Sequence, residues 1–202
     1  LSATRRAALF GGSFDPVHRA HVALAQAALR ELKLDEVRWV PSGNPWQKQA
    51  ARALTPAVHR EAMVRLAMAG EPRFTLDRCE IERAGPSYTL DTVRELQARE
   101  PGTQWVLLIG QDQYANLHTW AQWPELLQRV TLAVANRPGV LKPVAPEVLR
   151  FPHRAVPLPM LDIAATDIRA RVAAAQDITD LVPPEVARYI DQHGLYRPGA
   201  AD

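Results

Sequence analysis

Up to residue 135, short apolar runs alternate with segments whose apolar positions recur at helical spacing. The run RAALFGG ends in two glycines and reads as a buried strand. In VHRAHVALAQAALREL, Val17, Val22, Leu24, Ala25, Ala28, Leu29 and Leu32 fall on one helical face. EVRWVPSG alternates and stops at proline, which predicts a second strand, and NPWQKQAARALT follows as a polar loop without a period. PAVHREAMVRLAMAG carries proline in its first turn and glycine at its end, the signature of a helix. RFTLDRCEIER predicts one or two short strands, and SYTLDTVRELQARE runs from hydroxyl residues into a helix. WVLLIG and VTLAVANRPG are continuous apolar runs of the kind found in central parallel strands.

Positions 138–160 hold six prolines and no helical period, so they predict a long connection, and TDIRARVAAA and PPEVARYIDQHG predict two final helices. Strand-helix alternation of this kind specifies an α/β fold, a Rossmann-like doubly wound parallel sheet with helices on both faces and a small C-terminal helical part. The chain of 202 residues suffices for one sizeable domain, or one with a small appendage.

Composition narrows the function classes. Hydrophobic residues at 47% and charged residues at 23% are the balance of an ordinary globular protein. The net charge of +2 comes from interspersed charges without a basic block, so no extended nucleic-acid surface is expected, while a local pocket for small phosphates stays open. Cys79 is the only cysteine, which precludes an internal disulfide and reads as a half-buried small apolar residue. LSATRRAALFGG has too short an apolar run for a signal peptide, and no stretch approaches the ~20 apolar residues that span a bilayer. A cytoplasmic protein without a membrane partner is expected. Its oligomeric state is left open.

The densest chemistry lies in GGSFDPVHRAH, between the first strand and the first helix. In a doubly wound sheet that place borders the ligand crevice. Gly11 and Gly12 let the backbone approach a ligand and adopt angles closed to other residues. The following helix offers free N–H groups and a positive dipole end to an anion. His18 and His21 share one face of its first turn and can donate to the same phosphate chain. A zinc site is the weaker reading, because His-x-x-His lacks the glutamate and spacing of a zinc-protease helix and no third ligand is near. Elsewhere the residues alone are ambiguous: Thr166 reads as a helix cap or a phosphate contact, Arg169 as a surface charge or a phosphate donor, and Lys48 as a solvated surface lysine.

GGSFDPVHRAH resembles the signature of the HxxH nucleotidyltransferases. SGNPWQK, PSYTLDT, LLIGQD, Trp120 with its preceding threonine, NRPG, IAATDIR and YIDQHGLYR follow in the order seen in bacterial nicotinate mononucleotide adenylyltransferases, so the resemblance spans residues 7–197. It implies adenylyl transfer from ATP to nicotinate mononucleotide, with Mg²⁺ accompanying ATP on few or no protein ligands. It further implies a nucleotide-binding core over 1–160 and a helical segment over 161–202 that completes the ATP site. Gly11, Gly12, Ser13, Phe14, His18, His21, Gly110, Asp112, Thr166 and Arg169 would bind ATP, with His18, His21 and Arg169 catalytic. Asn44, Lys48, Ser87, Tyr88, Thr89, Trp120 and Arg137 would bind the acceptor, with Trp120 stacking on the pyridine ring. The chain departs from the pattern at Ala164 and Ala165, where the family has hydroxyl residues, and at Trp46 and Gln47, where it has proline and histidine. A phosphopantetheine or cytidylyl transferase, an amide-preferring enzyme, and a nucleotide-binding module without catalysis are the alternatives.

Overall fold

The computed structural model describes residues 4–43, 53–136, 142–158 and 161–199. Six parallel strands form one sheet: β1 (Arg6–Gly12), β2 (Glu36–Pro41), β3 (Phe74–Leu76), β4 (Gln104–Ile109), β5 (Thr131–Asn136) and β6 (His153–Pro157). Their order is β3-β2-β1-β4-β5-β6, so the chain winds one way from β1 to β3 and the other way from β4 to β6. The reversal falls between β1 and β4, which pair from Arg6 with Gln104 to Leu9 with Leu107. This is the doubly wound α/β sheet expected from the alternation of patterns.

The helices are α1 (Arg19–Glu31), α2 (Ala57–Met68), α3 (Cys79–Glu82), α4 (Thr89–Arg99), α5 (Gln111–Ala115), α6 (Trp123–Arg129), α7 (Pro146–Leu149), α8 (Ala165–Ala173) and α9 (Pro184–Gln192). Strand side chains alternate between two cores. Ala8, Phe10, Val106, Leu108 and Ala135 face α1, α2, α8 and α9, and Ala7, Leu9, Leu107, Ile109 and Val134 face α4 and α6. Strands apolar on both faces are what a sheet covered on both sides requires. Ile168, Val186 and Ile190 of the C-terminal helices lie in the same core as α1.

Expectations for two stretches of the chain are corrected. The second half of RFTLDRCEIER is the helix α3 rather than a strand. Cys79 at its start is fully buried rather than half-buried, and burial, then Asp77, pushes its thiol up to about 12. The proline-rich connection is the other: Pro146 opens α7 and Pro157 closes β6. Proline is compatible with a first helical turn and with an edge strand, and β6 is the edge of this sheet.

Candidate active site

A cavity of about 910 Å³ opens beyond the carboxyl ends of β1 and β4, at the point where the winding reverses. Open parallel sheets place their ligands there. The first residues of α1, α4, α5 and α8 all line it, so four positive helix ends converge on one space. Among the described residues neither α4 nor α8 has a side-chain hydrogen bond at its N-cap, an arrangement in which the first N–H groups of a helix can meet an anion.

His18 precedes α1 and is buried, with His21 one turn on. The two imidazoles stack with ring centroids 3.7 Å apart and line the cavity together. The His18 backbone N–H donates to His21 Nδ1 at 3.1 Å. A backbone N–H can only donate, so His21 Nδ1 is unprotonated and Nε2 carries the proton. His21 is thereby fixed as an Nε2–H donor. Phe14 wedges beneath it, with centroids 5.1 Å apart, and its φ of 47° makes it the left-handed residue of the loop. That corrects the expectation for Gly11 and Gly12, neither of which has positive φ. Their use is space: a Cβ on Gly12 would press the Phe14 ring at 3.3 Å, while one on Gly11 would meet only Val40 O at 3.8 Å.

Ser13, Ser87, Tyr88, Thr89, Gly110, Asp112, Trp120 and Thr166 also line the cavity. The expected hydroxyl caps are not formed. Tyr88 and Ala164 hold the N-cap positions of α4 and α8, and Thr166 lies inside α8. Ser87 Oγ is buried without a hydrogen-bond partner among the described residues. Arg169 stands behind the lining; its Nη1 donates to Asp15 O at 2.7 Å and its Nη2 to Thr166 Oγ1 at 3.2 Å. Asp112 is ion-paired with Lys142 at 2.9 Å. Asn44, Lys48 and Arg137 lie outside the described residues, as do Trp46 and Gln47.

Four residues without a sequence-based role complete the surroundings. Asp15 is buried, its Oδ1 accepts from Tyr196 Oη at 2.6 Å, and its Oδ2 accepts from Thr55 N at 3.3 Å. Burial, reinforced by Asp15, holds the Tyr196 phenol well above its ordinary value, so it stays a donor. Arg60 of α2 is buried and, among the described residues, donates to backbone carbonyls only. Burial pulls its pKa down and the charge of Asp15 opposes that. The available signal was an arginine inside the helical period of AVHREAMV. Ser42 joins them at the cavity wall, its buried Oγ without a hydrogen-bond partner among the described residues.

The sheet order and the crevice with its histidine pair and helix ends define a doubly wound α/β protein with a site suited to a phosphate-bearing ligand. Residues 9–171 match the cytidylyltransferase-like family model, and the chain belongs to that family. Within it, the chain belongs with the nicotinate-nucleotide adenylyltransferases. It is 53% identical to a protein of Methylibium petroleiphilum described as a probable nicotinate-nucleotide adenylyltransferase, over 98% of this chain and 95% of that one. A Bordetella petrii protein of the same description is 47% identical over 96% of this chain and all of its own length, 100%. The fold is also that of a Plasmodium falciparum nicotinic acid mononucleotide adenylyltransferase solved in complex with NaAD, with a TM-score of 0.79 at 19% identity over 95% of this chain and 97% of that one.

Proposed function

We propose that the chain transfers the adenylyl group of ATP to the 5′-phosphate of nicotinate mononucleotide, giving nicotinate adenine dinucleotide and pyrophosphate for NAD synthesis. The observation that carries this reading is the cavity at the winding reversal, with stacked His18 and His21 at the head of α1. With ATP as co-substrate, the proposed setting is the cytoplasm.

The acceptor phosphate is already an anion, so no general base has to create the nucleophile. One of its oxygens forms a bond to the α-phosphorus as the bond from that phosphorus to the β-bridging oxygen breaks, and pyrophosphate leaves with the electron pair. Atoms and charge balance without a proton transfer. What the protein must supply is alignment and stabilisation of charge on the phosphates. His21 Nε2–H, set by the Nδ1 bond, and the neighbouring His18 would donate to the triphosphate. Thr166 and the uncapped turn of α8 would cap the phosphates, and Arg169 would add charge by turning from the Thr166 hydroxyl. Ser87, Tyr88, Thr89 and Trp120, on the α4 and α5 side, would receive the nicotinate end. Mg²⁺ belongs to the proposal as an ion carried on triphosphate oxygens. Among the described residues no three His, Cys, Asp or Glu side chains group as a metal site.

The test is pyrophosphate release with ATP and Mg²⁺, comparing nicotinate mononucleotide with its amide, for the parent chain and His18→Ala. The acid should be strongly preferred, and the variant should keep its fold while losing about 100- to 1,000-fold in kcat, the scale of one charge-stabilising donor. Equal rates with acid and amide would make the enzyme dual-specific. Silence with both would overturn the assignment.

A further inference from the structure

We propose that Arg60 is a positioning residue that fixes the spacing between the donor and acceptor halves of the site. This rests on the proposed function, with the loop after β1 meeting ATP and the end of β2, whose Ser42 lines the same cavity, assigned here to the mononucleotide side. Arg60 Nη1 donates to Ser13 O at 2.9 Å on the β1 side and to Ser42 O at 2.7 Å on the β2 side. Nη2 reaches Gly43 O at 3.3 Å, and Nε reaches Thr55 O at 2.7 Å just before α2. One guanidinium thus ties three chain segments together through four main-chain oxygens.

The chemistry of the group explains its use here. At 1% exposure Arg60 is among the most buried side chains of the protein, and among the described residues no carboxylate lies within ion-pair distance of it. Keeping such a charge inside is costly, and an apolar chain in its place would leave its four carbonyl partners without these donors. Its partners are four carbonyls met by all three nitrogens of the guanidinium. Only a fork of five fixed N–H groups meets them together; an ammonium presents three donors from one point. Because the bonds go to backbone rather than side chains, they set where the main chain of both loops runs. Ser13 and Ser42 themselves line the cavity.

In-line transfer depends on the separation of the two reactants more than on how tightly each is held. A displacement of about 1 Å costs on the order of 100-fold in rate. Substitution of Arg60 should therefore act on kcat and spare the binding of each nucleotide alone.

The experiment measures kcat and both KM values for Arg60→Lys and Arg60→Met, with the Kd of each nucleotide taken separately by calorimetry and the fold followed by circular dichroism. The expected result is a folded protein, each Kd within about 3-fold of the parent, and kcat lower by about 100-fold, Lys recovering part of the loss. A folded Arg60→Met with parental kcat overturns the inference, as does a loss carried wholly by the Kd of one nucleotide. If neither variant folds, Arg60 is a folding requirement and the inference falls. An active parent chain keeps all of these outcomes separate from failure of the proposed function, which would appear as a parent without turnover.

Discussion

Gly43 follows β2 with the carbonyl oxygen of Glu80 against its bare side: an added Cβ would stand 2.1 Å from that oxygen and 3.0 Å from its carbon. Both atoms are backbone, so nothing can swing aside. Gly43→Ala should lower stability by about 3 kcal/mol, the upper end of ordinary overpacking, in urea unfolding. Gly11→Ala provides the contrast. Its Cβ would meet only Val40 O at 3.8 Å, so stability should hold, while turnover falls if a nucleotide approaches the backbone there. The two glycines of the opening motif look alike in sequence, and their separate duties, together with the left-handed Phe14, depend on what packs around them. His18 and His21 were legible as a pair from their spacing, although His18 stands at the N-cap of α1 and not in its first turn as expected. The bond that fixes the His21 proton on Nε2 was not, because it depends on the extended conformation of His18 before the helix begins, φ −145° and ψ 174°.

Among the elements, the segment after α9 reaches back to the loop that opens α1. Tyr196 Oη donates to Asp15 Oδ1 across 181 residues of sequence, and Arg169 of α8 donates to the Asp15 carbonyl. A buried carboxylate that loses such a donor keeps its desolvation cost. Tyr196→Phe should therefore destabilise by about 2 kcal/mol in urea unfolding and lower turnover, since Asp15 lies in the histidine loop. Strongly periodic segments such as those of α1, α4, β4 and β5 were readable because burial on one or both faces imposes the period. The short α3 and the β6 strand were not. Four residues of helix carry too little period, and the prolines that suggested a loop are tolerated at a helix start and at a sheet edge.

At the scale of the molecule, the end of the sheet opposite the cavity holds a buried charge network. Glu36, 2% exposed, accepts from Arg38 Nε at 2.8 Å and also pairs with Arg5 and Thr75, while Arg38 extends to Glu100. Burial works to raise the Glu36 pKa, but the bonds from Arg38 and Thr75 and the charges of Arg38 and Arg5 outweigh it and leave the carboxyl below its ordinary 4.5. Asp77 is lowered in the same manner, burial being outweighed by the Cys79 N–H and Arg99. A folded-state pKa below the unfolded one stabilises the fold above the unfolded value, and that contribution disappears as pH falls through the folded value. The share of thermal stability owed to Glu36 and Asp77 should therefore be intact from neutrality down to about 4.5 and decline below it. Glu36→Gln should lose about 3 kcal/mol at neutral pH and show a shallower acid slope, read from Tm against pH.

By itself the sequence determined the class of sheet, because alternating strand and helix periods admit few topologies. It determined the position of the histidine pair too, because the motif sits where a strand hands over to a helix. The tertiary structure decided which groups are spent on the protein and which face the cavity. Thr166 lies inside α8 rather than capping it, Asp112 is paired with Lys142, and Arg60 and Tyr196 are drawn from distant segments to hold the loops. The physical reason is that periodicity reports burial along one element. Hydrogen-bond partners are chosen between elements, by distances that exist only once the chain has folded.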